Sequence, residues 1–385
     1  MIYRDSLIVL VLTAVIMFSC SKSSDQNYTV SERNGIKYFS NRNIPSDPEA
    51  KIEPVLLFTI TGDIGEADSP ESFYYIVDID IDNEGNIYLF DISSHSVKKF
   101  DENGAFVTSF GKRGIGPGEY PHAYDIVVQN GLVTVQSFTN LQMVKFDTDG
   151  NFIENVTYEG GPLSLGNALI PIPGNINMIG YKNDVEHRDG AIYVRNRLVI
   201  YDIDFNDIKT LWEYNEKIDP YSLDIFGFTV KYSAANNRIY IADNSMLSYN
   251  IAVFDYDGTR IKEIRFPYSR LSFNPDEEKY LRSKVNLVDG DTRIEQKKTY
   301  KRAVNDLFVD RYGRLLVRRS VERNEKNKND FTVDIFKDGV YLNTTVIPGL
   351  IGEDMMSNFS NTVIFRGDRI YQVLTDEAKV NVYTY

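Results

Sequence analysis

Asp78, Asp125 and Asp306 stand at matching places in three separate stretches of the chain, each shortly before a glycine (Gly85, Gly131 and Gly313). Each opens a short alternating apolar segment: "VDIDID", "YDIVV" and "NDLFV". Carboxylates converging from separate segments can ligate a hard cation such as Ca²⁺, or hold a cationic ligand group. The competing chemistry is architectural, because a buried carboxylate is usually satisfied by backbone amides. Lys231 opens a comparable segment and would complement an acidic ring.

Histidine offers a second set. His95, His122 and His187 are the chain's three histidines, and all fall in stretches that read as loops. A catalytic zinc needs three converging protein ligands and an open position. Of the three, His122 alone lies just before one of the aspartate-bearing segments, so surface loops are the simpler reading.

A third set is charge. Asp291 to Lys328 holds twelve Lys or Arg and six acids, against a formal net charge of −13 for the whole chain. Lys297, Lys298, Lys301 and Arg302 head this stretch and could hold an anionic glycan or lipid headgroup. A solvated helix face explains the same run. The acidic balance opposes nucleic acid, which needs a basic footprint. No Walker loop, serine elbow, HExxH or cysteine nucleophile is present.

The glycine-rich "FGKRGIGPGEYPHAYDI" (110–126) resembles a phosphate cradle at first sight. A cradle would run from a strand into a helix. This stretch runs from "FVTSF" into "DIVV", both strand-like, so Gly111, Gly114, Gly116 and Gly118 read as supplying unusual backbone angles between two sheets. Glu119 is expected to bond that turn.

The elements that would position these residues repeat. "KKFDENGAFVTSF" (98–110), "VKFDTDGNFIENV" (144–156), "VIYDIDFNDIKTL" (199–211), "AVFDYDGTRIKEI" (252–264) and "DIFKDGVYLNTTV" (334–346) share one pattern: a strand ending in an aromatic, a polar turn, a second strand. A further strand pair precedes most of them. Four short antiparallel strands per repeat, with 26 Tyr and 22 Phe in 385 residues, predict an all-β, six-bladed β-propeller. The sixth unit, from Asn361, has three strands, and Pro54–Thr61 is expected to supply its fourth, closing the ring with the N-terminal segment. The predicted propeller covers 51–385.

Residues 270–303 form the longest insertion. Asn274-Pro275 followed by Asp276, Glu277 and Glu278 is a helix start. Leu281, Val285 and Val288 would share one side of that helix. A second helix is expected from Thr292 to Ala303, giving a small helical cap.

Upstream, Leu7–Phe18 is apolar but too short to span a bilayer, and "MFSC" ends at Cys20, the sole cysteine. This resembles a lipoprotein signal (1–20), with Cys20 acylated and 21–50 a polar tether. Ser21 favours the outer membrane. In blade one, "VDIDIDNEGNIYLFDISSHSVKKFDENGAFVTSFGKRGIGPGEY" (77–120) resembles an NHL repeat, and "GPGEY" resembles the bacterial six-bladed propeller lipoproteins grouped beside NHL proteins. The resemblance implies a lipid-anchored envelope propeller, and a well-kept repeat with no assembled catalytic constellation points to binding or scaffolding of a protein or glycan partner. It also leaves open a metal-assisted hydrolase or lyase, with Asp78, Asp125, Asp306 and His122 near the metal, and an anionic-glycan binder.

Overall fold

The computed structural model describes residues 27–62, 69–137, 142–157, 169–218, 222–223, 230–243, 245–284, 288–289, 292–293, 295–296, 300–352 and 363–385. Six four-stranded antiparallel blades surround a central channel. Blade one comprises Ile76–Ile81, Ile87–Asp91, Ser96–Phe100 and Phe106–Phe110, in order from channel to rim. Blades two to five begin at Ala123, Ile170, Tyr232 and Val304. Blade six takes Val363–Arg366, Arg369–Leu374 and Lys379–Thr384, and its outermost strand is Val55–Thr61. The register runs from Val55 opposite Thr384 to Thr61 opposite Lys379, so the ring closes as the sequence predicts. Closure pairs two strand edges that would otherwise stay open.

The core is divided as the blades are. One hydrophobic cluster lies in each of the six interfaces, for example Phe90, Tyr120, Ile126 and Phe146 between blades one and two. Alternation along each strand sends every second side chain into one of these interfaces. The turns are built by aspartate. Asp82, Asp101, Asp147, Asp202 and Asp310 each accept the N–H groups two and four residues on through Oδ1, at 2.8–3.0 Å. A short side-chain acceptor of this kind mimics a backbone turn.

Two expectations are corrected. Tyr28–Arg33 and Ile36–Asn41, placed in the tether, form a hairpin whose second strand pairs in parallel with Arg260–Phe266, the outer strand of blade four. Asn41 locks it. Its Nδ2 donates to the carbonyls of Arg265 (3.3 Å) and Gly339 (3.0 Å), and its Oδ1 accepts from the Tyr341 N–H (2.9 Å). The chain then follows the rim of blade five, where Ala50 and Ile52 are buried, before entering blade six. What reads as polar linker is therefore a belt across three blades.

The second correction concerns the insertion. α1 (Pro275–Lys284) forms where expected, and Asn274 and Glu277 cap it reciprocally, each backbone N–H bonding the other's side chain. Among the described residues of 292–303 there is no second helix. Thr292–Arg293 pairs with Val288–Asp289, and Glu295–Gln296 pairs in parallel with Ser222–Leu223. Asp289-Gly290 is a hairpin signal, which outweighs the helix-forming residues after it. The side chains of Leu281, Val285 and Val288 lie outside the described residues.

Candidate functional site: the central channel

Inner strands run from the face bearing the blade-to-blade connections toward the face of the tight turns, so a residue's place on its strand fixes its depth. All six blades contribute to a channel cavity of about 630 Å³, represented by Asp80, Ile126, Tyr181, Lys231, Asp306 and Arg366.

The structure brings two of the three aspartates together. The buried Asp78 accepts from its neighbour Ile79 N–H (2.8 Å) and, across the blade boundary, from Ile126 N–H (2.8 Å). Asp125 takes the same step onward, accepting from Leu169 N–H of the third blade's approach at 3.1 Å. The two carboxyls also share a hydrogen bond. Burial, and then the charge of Asp125, push Asp78 well above the ordinary carboxylate range. Asp306 accepts from Leu307 N–H (3.0 Å) and stands apart, beside Lys231. Among the described residues no three His, Cys, Asp or Glu gather as a metal-ligand set. Asp78 and Asp125 thus join blade to blade through backbone amides.

Asp80 extends this joinery. Its oxygens accept from Ile81 N–H (2.8 Å) and Val128 N–H (2.7 Å), and Arg366 Nη2 of blade six adds a third bond at 2.9 Å. One side chain therefore ties blades six, one and two. Burial raises its carboxyl, while the Arg366 charge opposes that. Asp80 was legible in principle: two residues after Asp78 on a strand, it must face the same way. Arg366 is 286 residues distant and carries no such signal.

Lys231 lines the cavity. Burial lowers its amine, the charge of Asp306 acts against this, and the charges of Arg302 and Arg318 add to the lowering. Beside it, the Tyr232 hydroxyl has no hydrogen-bond partner among the described residues, and Tyr181 donates to the Val230 carbonyl. These tyrosines are the feature that residue-type reasoning missed.

The remaining candidates lie elsewhere. His95 and His122 meet, with ring centroids 6.4 Å apart, but neither lines the cavity. Burial, then Arg113 and His122, hold His95 below the usual imidazole range. His187 is in a strand rather than a loop, near the exposed tip of the long Met178–Arg188/Ala191–Tyr201 hairpin. Lys301 is not a free surface cation: it is buried against Glu277, a second bond going to the Val321 carbonyl (3.1 Å), and it pins the start of α1. Arg302 is buried too, while Lys297, Lys298 and Cys20 fall outside the described residues.

The glycine loop is a joint, as its strand-to-strand setting implied. Lys112–Arg113 pairs in parallel with Glu119–Tyr120, and Glu119 accepts from Gly116 N–H (2.9 Å) while pairing with Lys112 (3.1 Å). Gly111 has φ +74°, and a Cβ there would overlap the buried Tyr120 ring. At its tip Ile115 is 89% exposed.

Comparison with known proteins agrees with this architecture. An exported-protein structure from Bacteroides fragilis superposes with a TM-score of 0.52 at 12% identity, covering 90% of this chain and 99% of the other. A DUF4221 member from Bacteroides vulgatus gives 0.46 at 14% identity, covering 86% and 97%. Virginiamycin B lyase from Staphylococcus aureus gives 0.42 at 9%, covering 81% and 98%. No curated protein matches significantly. At 12% identity the first of these speaks for the fold alone, and nothing is drawn from the other two. The sequence profile described as "6-bladed beta-propeller" matches residues 72–268, just over half the chain, and with the six blades and their closure this places the protein in the DUF5128 family of six-bladed β-propellers.

Proposed function

We propose that this protein is a lipid-anchored propeller of the cell envelope that binds or scaffolds through its channel and the connection-bearing face around it. The observation that carries the binding reading is the cavity of about 630 Å³, lined by residues of all six blades. Asp78, Asp80 and Asp125 are committed to holding blades together, which leaves the Tyr232 hydroxyl as a polar group beside the cavity without a hydrogen-bond partner among the described residues. Such a pocket is concave, part apolar and sparsely polar, as small-molecule sites usually are. The apolar run Leu7–Phe18 ending at Cys20 supports the anchor, and Ser21 supports the outer membrane.

Thermal-shift titration with glycan fragments and small peptides tests the binding reading, comparing wild type with a Lys231→Met/Tyr232→Phe variant. Stabilisation of wild type that the variant lacks is expected. Equal shifts in both proteins would remove the channel as the site. The metal-assisted reading is less favoured, because both Asp78 oxygens accept amide N–H bonds and Asp306 stands apart beside Lys231.

A further inference from the structure

We propose that His95 and His122 form a two-histidine site for a divalent transition-metal ion, with Cu²⁺ as the ion it holds best. The pair lies outside the channel cavity. His95 belongs to the turn between the second and third strands of blade one, and His122 to the connection that leads into blade two. Their ring centroids are 6.4 Å apart and their planes stand at 66°. The Nδ1 atom of His95 is buried and has no hydrogen-bond partner among the described residues. A buried nitrogen in that position calls for an explanation, and an ion that takes its lone pair supplies one.

Both backbones are held on either side of the ring. His95 has φ +51°, the left-handed conformation that turns the chain back into Ser96–Phe100. Before it, Asp91 accepts from the N–H groups of Ser93 (3.2 Å) and Ser94 (3.1 Å) and from the Ser94 hydroxyl (2.7 Å). After it, Ser96 is buried. His122 stands between Tyr120 and Ala123, which are both fully buried. The two rings themselves are only half-buried, so an ion can reach them. Ligands fixed in this way lose little freedom on binding.

Spacing selects the ion. With metal–nitrogen bonds of about 2.0–2.1 Å, two imidazole centres sharing one ion lie about 5 Å apart in a tetrahedral site and about 6.4 Å apart when the nitrogens stand opposite. The pair has the wider spacing, which suits the square-planar preference of Cu²⁺, and copper heads the affinity order of divalent ions at nitrogen sites. Ca²⁺ and Mg²⁺ prefer oxygen ligands and are poorly matched to two imidazoles. Among the described residues no third His, Cys, Asp or Glu completes a set, so water takes the remaining positions. Two charges act on His95: Arg113 opposes a cation and Asp91 favours one. A bound ion would join blade one's turn to the approach of blade two.

The probe is copper alone. Full-length protein is dialysed against copper sulfate in a weakly coordinating buffer and its bound metal counted, with a His95→Asn/His122→Asn variant as comparison. Asparagine tolerates the positive φ at 95. Wild type should hold one Cu²⁺ more than the double variant. Each single variant should hold it about tenfold or more weakly, since the second of two linked ligands binds at high effective concentration. Cys20 and His187 are unchanged in these variants, so copper held there is common to all of them. Electron spin-echo modulation of the wild-type complex should report two imidazoles, a measurement that stands even where a variant fails to fold. Equal copper in wild type and double variant means an adventitious ion only and overturns the site, as does a signal from one imidazole or none.

Discussion

Asn41→Ala is the sharpest test of the belt. In the native fold the Asn41 amide accepts from Tyr341 N–H and donates to Gly339 and Arg265 carbonyls, all at the junction of hairpin, blade four and blade five. Alanine leaves the Tyr341 N–H without its acceptor in a buried place, a cost of about 1–3 kcal/mol. The carbonyls lose a donor each but can recruit water more easily, at about 1 kcal/mol or less apiece. A total near 3 kcal/mol corresponds to about two decades in an opening equilibrium. The loss should be local, since none of these bonds belongs to the inner strands. Hydrogen exchange read by mass spectrometry should therefore show residues 28–41 losing about a hundredfold in protection, while 76–110 changes little. Unchanged protection in the hairpin would refute the argument. So would a wild-type hairpin that exchanges at the rate of free peptide, because the belt would then not be docked at all.

Other outcomes follow from the same contacts. Asp78 has a folded pKa above its unfolded value of about 3.9, so its stabilising contribution is complete below that pH and is lost as pH rises through the raised value. Asp78→Asn, which stays neutral, should flatten the fall in urea midpoint above about pH 4 relative to wild type; parallel profiles would count against the assignment. Lys301→Met strands the Glu277 carboxylate in a buried site and should cost about 3–5 kcal/mol, seen as early proteolysis around α1, whereas Lys301→Met with Glu277→Leu should recover most of it. Gly111→Ala meets both a positive φ and the Tyr120 ring, while Gly131→Ala meets a similar φ (+78°) with nothing within 4 Å. Both should lower the denaturation midpoint, the first by at least about 1 kcal/mol more; equal losses would show that the loop gives way freely.

The blades were legible because their signal is local and repeated. Asp101, Asp147 and Asp202 each sit just after an aromatic and just before a turn, and each uses its carboxylate identically. Closure by Val55–Thr61 was legible because blade six lacked a strand and a ring cannot leave it missing. The hairpin was not, since its pairing partner lies some 220 residues away and its own sequence is polar and mostly exposed. Lys301 misled for a related reason. Residue type announces a cation, but only the fold shows that Glu277 meets it in a dry place. The aspartates of the channel lay between these cases. Their shared position was visible, but their amide partners, Ile126 and Leu169, come from the next blade and carry no sequence signal.

The belt also fixes how this molecule would bear tension. A pull arriving through Asn27 along the strand axis meets the six register pairs of the hairpin in shear, all loaded at once rather than one after another. Should they yield, the Lys37–Ser40 ladder on blade four is next, then the contacts of residues 46–52 along blade five. The strand that closes the ring, Val55–Thr61, is loaded last. Under such a load the hairpin would release its chain before the propeller opens.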